Sequence, residues 1–306
     1  MNAPRHKAKY FVGPSGWSYP DWNGIVYPSA AGVRFDPLHW VTRYFNAVEV
    51  NSSFYRPPTA RTAESWVRRA EHAPEFLFTF KLFQAFTHRR AEYGRAEIAE
   101  CKAGLAPIAA SGRLGCLLLQ FPWSFRCGPA AFEWLARLRD DFGEFPLAVE
   151  VRHTSWDRPD ARDRLRDLRL NYCNIDQPVW NQCLRPSAHV TGAVGYVRFH
   201  GRRTDTWFAE NADTHARYDY LYRPAELEEW IPRLRQIAEQ TEQTFVFMNN
   251  CARGQSIANG LQIRALLEHR PVDVPPEALR AFPFLGEIAS PRRPPPPPEE
   301  PTLFDP

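Results

Sequence analysis

Short apolar segments recur along the chain, and polar residues follow each of them. The segments are rich in Val, Phe, Leu and Tyr and are mostly apolar at successive positions rather than at alternate ones. Continuous apolar runs of this kind are typical of parallel strands that helices bury on both faces. Eight runs are predicted to be strands: 10–13, 47–51, 77–81, 116–120, 147–152, 171–176, 194–200 and 244–249.

Helix-like segments occupy most of the intervals between these runs. Several of them begin with Pro or Thr, which are common at the first positions of a helix. The predicted helices are 59–72, 92–111, 129–141, 159–169, 224–240 and 255–269, whereas the interval 177–193 has no convincing helical pattern. Strand–helix alternation repeated eight times predicts an α/β fold, the (β/α)8 TIM-type barrel, with one weak helix between strands six and seven.

The two ends of the chain depart from this repeating pattern. Residues 1–9 are polar and basic and are predicted to be a disordered N-terminus, and residues 10–288 are predicted to form a single barrel domain. Residues 289–306 contain eight prolines. Such a composition favours an extended polyproline-type chain, so this segment is predicted to be a disordered tail.

Composition narrows the class of protein. The net charge of +3 over 306 residues excludes a strongly basic nucleic-acid binder. The six cysteines form no CxxC pair, and a chain of this size does not need disulfides, which indicates reduced thiols. No apolar stretch approaches the roughly 18 residues of a membrane span. We therefore expect a soluble, cytoplasmic protein that makes no contact with a membrane.

Polar residues collect where the predicted strands end. In a TIM-type barrel the active site lies at the carboxyl ends of the strands. Residues i and i+2 of a strand share a face, so three pairs can project inward together at the barrel mouth: Glu49 with Asn51, Glu150 with Arg152, and Arg198 with His200. The mouth is thus predicted to hold carboxylates, cations and amides in one pocket.

The cations at the mouth favour an anionic ligand, because arginine presents a planar fork to carboxylate or phosphate. Neighbouring charges would then set the pKa of the acids and bases. The predicted catalytic residues are Glu49, Glu150, Asp176, Lys81 and His200. The predicted ligand-binding residues are Ser15, Trp17, Tyr19, Trp22, Asn51, Tyr55, His88, Gln120, Arg152, His153, Arg198, Asn249 and Asn250.

Two other interpretations of the charged residues remain open. Glu49, Glu150, Asp176 and His200 are of the types that ligate divalent ions, but no HxH or HExxH spacing occurs and three cations would share the cavity. No cofactor is predicted, and a divalent metal stays an alternative. The pairing of Glu150 with Arg152 or Lys81 could also be a purely structural buried ion pair. The absence of Walker A, GxGxxG and GxSxG strings argues against ATP, a dinucleotide and a serine-hydrolase elbow.

Residues 201–222 form a long connection after the seventh strand. Loops of this length are uncommon on a compact barrel unless they serve a function. The aromatic and charged residues of this segment favour a lid over the pocket, and a disordered surface insertion is the alternative.

Several short blocks resemble one known family in their order along the chain. They are GPSGWSYPDW at 13–22, VEVNSSFY at 48–55, FK at 80–81 with TH at 87–88, LQFP at 119–122, VEVRH at 149–153 with SW at 155–156, YVRFHG at 196–201, YDY at 218–220 and MNN at 248–250. Over about residues 10–270 the chain resembles the family catalogued as domain of unknown function 72, also called YecE-like. The resemblance implies a TIM-type barrel and implies no reaction.

Three positions depart from the family pattern. Pro14 stands where a small residue such as threonine is common, and Met248 stands where phenylalanine is more usual. Cys251 stands where an acidic residue is frequent, which removes a possible carboxylate from the mouth.

We therefore expect an enzyme that uses acid–base chemistry on a small anionic substrate, a phosphate or a carboxylate. One alternative is a metal-dependent phosphoesterase related to nucleic-acid repair. Another is a non-catalytic ligand-sensing or accessory protein that its C-terminal tail recruits to a partner.

The tail carries one candidate partner site. Leu303 and Phe304 are adjacent apolar residues near its end, and the segment resembles the C-terminal Leu-Phe peptides that bind bacterial sliding clamps. The usual upstream glutamine is absent, with Glu299 or Glu300 in its place. A sliding-clamp-type partner is the hypothesis here, and an inert solubilising tail is the alternative.

Overall fold

Eight parallel strands form one sheet that curls into a barrel, as the sequence predicts. The computed structural model describes residues 10–29, 35–90, 93–180, 182–207 and 214–291. The strands are β1 (Tyr10–Pro14), β2 (Ala47–Val50), β3 (Leu77–Lys81), β4 (Leu114–Gln120), β5 (Leu147–Glu150), β6 (Asn171–Asp176), β7 (Val194–Phe199) and β8 (Gln243–Met248). Hydrogen-bonded neighbours follow the order β1-β8-β7-β6-β5-β4-β3-β2. This arrangement, with helices between the strands, is the (β/α)8 TIM-type barrel.

Helices cover the outside of the sheet. They are α1 (Pro37–Tyr44), α2 (Ala60–Arg69), α3 (Gln84–Thr87), α4 (Arg95–Ala110), α5 (Pro129–Phe142), α6 (Pro159–Asp167), α7 (Thr204–Trp207), α8 (Thr214–Arg217), α9 (Pro224–Glu228), α10 (Ile231–Glu239), α11 (Gln255–Glu268) and α12 (Pro276–Ala281). The described part of the interval 177–193 contains no helix, in agreement with the sequence. None of the helices in the ranges given above is long and apolar enough to cross a membrane.

Several helical features differ from the sequence prediction, which did not include the short helices α3, α7, α8 and α12. The predicted helix 224–240 is divided into α9 and α10, and Trp230 lies between them with its side chain buried. The helix α1 was not predicted. It begins at Pro37, and the side chain of Asp36 caps it by accepting hydrogen bonds from the backbone N–H groups of Leu38 and His39. Proline at the first position and aspartate as the N-cap are both favourable there.

Some predictions concern residues that the structure does not describe. They are the N-terminal segment 1–9, most of the tail 289–306 with Leu303 and Phe304, and residues 208–213 of the proposed lid. These predictions therefore stay predictions.

The barrel closes between β1 and β2 by a different set of contacts from those of the other strand pairs. The side-chain amide of Asn46 replaces part of the backbone ladder: its Oδ1 accepts from the N–H of Val12 at 2.8 Å, and its Nδ2 donates to the carbonyl oxygen of Tyr10 at 2.8 Å. Nearer the mouth, the N–H of Gly16 donates to the carbonyl oxygen of Glu49 at 2.8 Å. We call this boundary, made by Asn46 and by the Gly16–Glu49 bond, the closing seam.

The register between strands decides which side chains enter the barrel. Neighbouring residues on adjacent strands point to the same side of a sheet. On β6 and β7, Ile175 is the ladder partner of Arg198, and Asp176 is the partner of Phe199. Phe199 packs against the ring of Trp230, on the helix side of the sheet. Arg198 therefore points into the barrel, and Asp176 points toward the helices.

A substitution at Gly13 should prevent closure of the barrel. A Cβ atom at this position would overlap the carbonyl oxygen of Ala47 on β2. The strands can relieve that overlap only by moving apart at the closing seam. We expect Gly13→Ala to lower the free energy of unfolding by about 3 kcal/mol or more, measured by urea denaturation.

Gly128→Ala is the matched control, because a Cβ there meets no atom within 4 Å. Gly128 is the N-cap of α5, so Gly128→Ala should lower the free energy of unfolding by less than about 1 kcal/mol, the scale of an altered helix N-cap. Equal losses in the two variants would contradict the steric account of the closing seam.

Candidate active site

A cavity of about 360 Å³ opens at the carboxyl ends of the strands. Many of the predicted residues line it, and they fall into three chemical kinds. The cations are Lys81, Arg152 and Arg198, the amides are Asn51, Gln120 and Asn249, and the phenols are Tyr19 and Tyr55. The structure thus brings together residues that come from seven of the eight strand ends and the loops that follow them. We call this cavity the mouth pocket.

Three residues of the mouth pocket were not among the predicted site residues: Tyr218, Cys251 and Ala252. The sequence contained a signal for Tyr218, because it lies in the YDY block of the long connection 201–222. Burial raises the pKa of the Cys251 thiol to about 12, so this thiol stays protonated at neutral pH. Cys251 therefore contributes packing rather than a reactive thiolate.

Beneath the mouth pocket, Arg198 bridges two carboxylates that approach it from different strands. Its NH2 donates to Glu49 Oε1 at 2.6 Å, and its NH1 donates to Glu150 Oε2 at 2.5 Å. All three side chains are at most 2% exposed. Buried charges of this kind persist only when they are paired and hydrogen-bonded. The arrangement is therefore a fixed ionic layer, which we call the buried ion cluster.

The remaining oxygens of the two carboxylates also have donors. Glu49 accepts from the hydroxyl of Ser15 at 2.8 Å and from the hydroxyl of Tyr196 at 2.7 Å. Glu150 accepts from Arg152 through Nε at 3.1 Å and through NH2 at 2.9 Å. Burial opposes ionisation of Glu150, but Arg198, with His200 and Arg152, outweighs it and holds the pKa of this carboxyl well below its usual range. Glu150 is therefore a permanent anion at neutral pH.

His200 links the buried ion cluster to the pocket wall. Its Nε2 lies 3.2 Å from Glu150 Oε1, and its Nδ1 lies 3.0 Å from the amide nitrogen of Asn249. Burial lowers the pKa of His200 to about 3 despite the nearby carboxylate, so the ring is neutral. Because Asn249 offers an N–H to Nδ1, the ring proton belongs on Nε2, facing Glu150. The side-chain oxygen of Asn249 also accepts a hydrogen bond from the side-chain nitrogen of Asn51 at 3.4 Å, so Asn249 connects His200 to Asn51 in the pocket wall.

Among the described residues, Lys81 is the cation of the mouth pocket that forms no ion pair with a carboxylate, whereas Arg152 and Arg198 each form at least one. Its Nζ lies 3.7 Å from the centre of the Phe54 ring. Burial, followed by repulsion from Arg198 and Arg152, lowers the pKa of this amine to about 7. Lys81 therefore exchanges a proton in the neutral range, which an ordinary lysine does not do.

Asp176 and Asn250 lie outside the mouth pocket, although both were predicted for the site. Asp176 accepts from Arg202 at 2.8 Å, from the hydroxyl of Tyr222 at 2.8 Å and from the indole N–H of Trp230 at 2.6 Å. The register of β6 and β7 places Asp176 on the helix side of the sheet. Asn250 points the same way and donates to the backbone of Tyr220 at 2.8 Å. Both residues hold the chain after β7 in place.

Five other predicted residues support the pocket or its surroundings. Ser15 is fully buried and bound to Glu49. Trp22 is buried and donates to the carbonyl oxygen of Cys251 at 2.7 Å, and Trp17 packs edge-on against Trp66. His153 contacts Gln182 at 2.8 Å and caps the turn at Ser155, while His88 packs against Phe54 at 4.9 Å. None of these five residues lines the mouth pocket.

The residues proposed as metal ligands are not assembled into one site. Glu49 and Glu150 direct their oxygens at guanidinium N–H groups, and Asp176 lies on the other side of the sheet. No group of three or more His, Cys, Asp or Glu side chains suited to a metal ion occurs among the described residues. The side chains that line the mouth pocket are mainly cations, amides and phenols.

The fold and the site define the class of protein: a TIM-type barrel with a cation-lined pocket over a buried ion cluster, at the end where such barrels hold their active sites. The chain belongs to the family described as "Protein of unknown function DUF72", which matches residues 11–281. The resemblance found in the sequence blocks is thus confirmed.

Relatives of the chain agree with this assignment. It is 29% identical to the UPF0759 protein YunF of Bacillus subtilis over 89% of this chain and 99% of that protein. A solved DUF72 family protein from Thermotoga maritima is 32% identical, with a TM-score of 0.74 over 85% of this chain and 99% of that one. A second DUF72 structure, from Enterococcus faecalis, is 22% identical with a TM-score of 0.74, covering 85% of this chain and 95% of that one, and shows the shared fold.

The geometry of Glu150 predicts a structural cost when its charge is removed. Glu150→Gln would leave Arg198 and Arg152 buried beside a neutral amide. We expect a loss of about 3–5 kcal/mol in the free energy of unfolding, measured by urea denaturation at pH 7. Asp160→Asn, at an exposed ion pair with Arg158, is the control and should leave stability nearly unchanged.

The pH dependence of stability gives an independent check. Because the pKa of Glu150 is lowered in the folded state, its contribution is complete above the unfolded value of 4.5 and is lost as pH falls toward the folded value. Glu150→Gln should lack this part of the acid-induced loss. A variant as stable as the wild type, with the same acid profile, would show that Glu150 has no structural role.

Proposed function

We propose that the mouth pocket binds a small anion, a phosphate or a carboxylate, and that the protein is an enzyme acting on it by acid–base chemistry. The observation that carries the proposal is the uncompensated amine of Lys81. Glu49 and Glu150 are paired with Arg198 and Arg152, so a proton on Lys81 adds a positive charge to the pocket without its own carboxylate. A bound anion would supply that missing partner.

The roles of the acidic residues change under this proposal. Glu150 stays ionised and fully occupied by donors, so it orients Arg152 and Arg198 rather than carrying protons. Lys81 exchanges its proton near pH 7, where a general acid or base is most effective. Arg152 is 16% exposed and lines the pocket, and a planar guanidinium is suited to hold an anionic group.

The two alternatives receive less support. A metal-dependent phosphoesterase would need carboxylates free to coordinate, and those at the mouth are bound to arginine. A ligand-sensing protein would use the same pocket without turnover, but a half-buried lysine that titrates near pH 7 favours chemistry over simple retention of a ligand. The six free thiols are in keeping with the reducing cytoplasm that we infer as the location.

Binding of inorganic phosphate and of sulfate tests the anion site. In calorimetric titrations, the affinity for sulfate, whose charge is constant in this range, should fall as pH rises from 6 to 8, because Lys81 is protonated below its pKa of about 7 and neutral above it. Lys81→Met should weaken sulfate binding about tenfold or more at pH 6, or roughly 1.4 kcal/mol, and should remove most of this pH dependence.

Lys102→Met is the matched control, because Lys102 lies at the surface in an ion pair with Glu144. It should bind both anions as the wild type does. Identical binding by the Lys81 and Lys102 variants, or pH-independent sulfate binding by the wild type, would overturn the proposed anion site.

A further inference from the structure

Lysine is rare among the basic residues of this chain, and one of the few lysines lies at position 81 in the mouth pocket. Of the 38 basic residues, 34 are arginine, and the lysines are Lys7, Lys9, Lys81 and Lys102. Arginine stays protonated in proteins, whereas lysine can lose its proton and become a nucleophile. In a chain that uses arginine almost everywhere, a half-buried position of the mouth pocket carries the basic residue whose nitrogen can react.

The backbone holds the Lys81 side chain at a fixed place in the pocket. Its carbonyl oxygen accepts from the hydroxyl of Ser53 at 2.7 Å, and the following N–H, of Leu82, donates to the carbonyl oxygen of Leu118 at 2.9 Å. Lys81 is therefore anchored to the segment after β2 on one side and to β4 on the other. Catalytic groups are most effective when they are held in this way on rigid elements.

The surroundings of Nζ favour the neutral amine. The Phe54 ring covers one side of Nζ at 3.7 Å and excludes water there, although its face attracts the ammonium form, and the guanidinium groups of Arg152 and Arg198 in the same cavity oppose a further positive charge. Within the described part of the chain, no carboxylate forms an ion pair with Nζ. Burial and neighbouring cations are the two devices by which proteins activate a nucleophilic lysine.

A donor for the anionic part of a substrate lies in the same cavity. Arg152 is partly exposed and lines the mouth pocket. Arg198 adds positive charge beneath it, although its NH1 and NH2 are held by the carboxylates and its Nε is buried. A substrate whose anionic group binds beside Arg152 can bring a neighbouring carbon to Lys81.

We propose that Lys81 Nζ attacks the carbonyl carbon of a small anionic aldehyde or ketone, such as a 2-oxo acid, and forms an imine with it. The inference rests on the proposed function, because the anion site is what holds the substrate. It adds the substrate class and a covalent step.

The step balances without an oxidant or a reductant. The amine lone pair forms the C–N bond while the carbonyl π electrons move to oxygen, and a proton passes from nitrogen to that oxygen through water. The hydroxyl then takes a second proton from water and leaves as a water molecule while the C=N bond forms. The protonated imine withdraws electrons from the adjacent carbon, so a C–H proton there becomes acidic, and this connects the covalent step to acid–base chemistry.

Reductive trapping tests the imine. The full-length protein is incubated at pH 7 with pyruvate and sodium cyanoborohydride, and the modified residues are identified by peptide mass mapping. Cyanoborohydride reduces the imine to a stable secondary amine, which adds the mass of pyruvate less one oxygen. We expect Lys81 to be modified at least tenfold faster than Lys102, the internal control in the same sample.

Inorganic phosphate separates the two proposals. Phosphate should slow the modification of Lys81 and leave that of Lys102 unchanged. Phosphate binding without any adduct at Lys81, or equal rates at the two lysines, would overturn the imine and leave the anion site standing. An adduct at Lys81 that phosphate does not slow would support the nucleophile and overturn the anion site.

A conservative variant gives a second measurement. Lys81→Arg keeps the positive charge but cannot form an imine, so we expect it to bind phosphate at pH 6 and to show no adduct at position 81. The ratio of rates at Lys81 and Lys102 is measured in the wild-type protein alone, so the test holds even if this variant fails to fold. An unchanged total yield of adduct in Lys81→Arg would also overturn the proposal.

Discussion

A single guanidinium between two buried carboxylates organises the mouth of this barrel. Arg198 on β7 reaches Glu49 on β2 and Glu150 on β5, so it ties together strands that are far apart around the sheet. The cost of burying each charge is several kcal/mol and is offset only by close, multiple hydrogen bonds. Ser15, Tyr196, Arg152 and His200 supply them, and His200 in turn contacts the pocket amide Asn249, which accepts a hydrogen bond from Asn51.

The buried ion cluster and the mouth pocket above it have different roles. The charges of the buried ion cluster are paired and hydrogen-bonded, so this cluster is rigid and does not titrate near neutral pH. The mouth pocket above it holds Lys81, whose pKa is lowered to about 7 first by burial and then by repulsion from Arg198 and Arg152, while Glu150 and Glu49 oppose that shift. A structural ion cluster and a reactive pocket are therefore not competing interpretations of these residues. The first creates the electrostatic conditions for the second.

The sequence predicted the fold well because its signals were local. A strand buried on both faces is a continuous apolar run wherever it occurs, and proline or threonine marks the start of many of the helices. Helix α1 escaped because its eight residues make only about two turns, a short stretch for a periodic pattern, and its main signal was the Asp36–Pro37 start. The side of the sheet that Asp176 faces was not predictable from β6 alone, since it depends on the register with β7. The lowered pKa of Lys81 likewise depends on residues of β5 and β7, which only the folded barrel brings near.

The closing seam has a consequence for the motions of the barrel. Because a side-chain amide replaces part of the ladder between β1 and β2, this boundary has fewer backbone hydrogen bonds than the other strand pairs and should be where the sheet opens first. Ser15 and Glu49 face each other across the same boundary, so an opening there also separates a donor from the buried ion cluster. Amide hydrogen exchange at Val12 and Gly16 would then report on the integrity of the pocket, and an occupied pocket would slow exchange in strands that the ligand never touches.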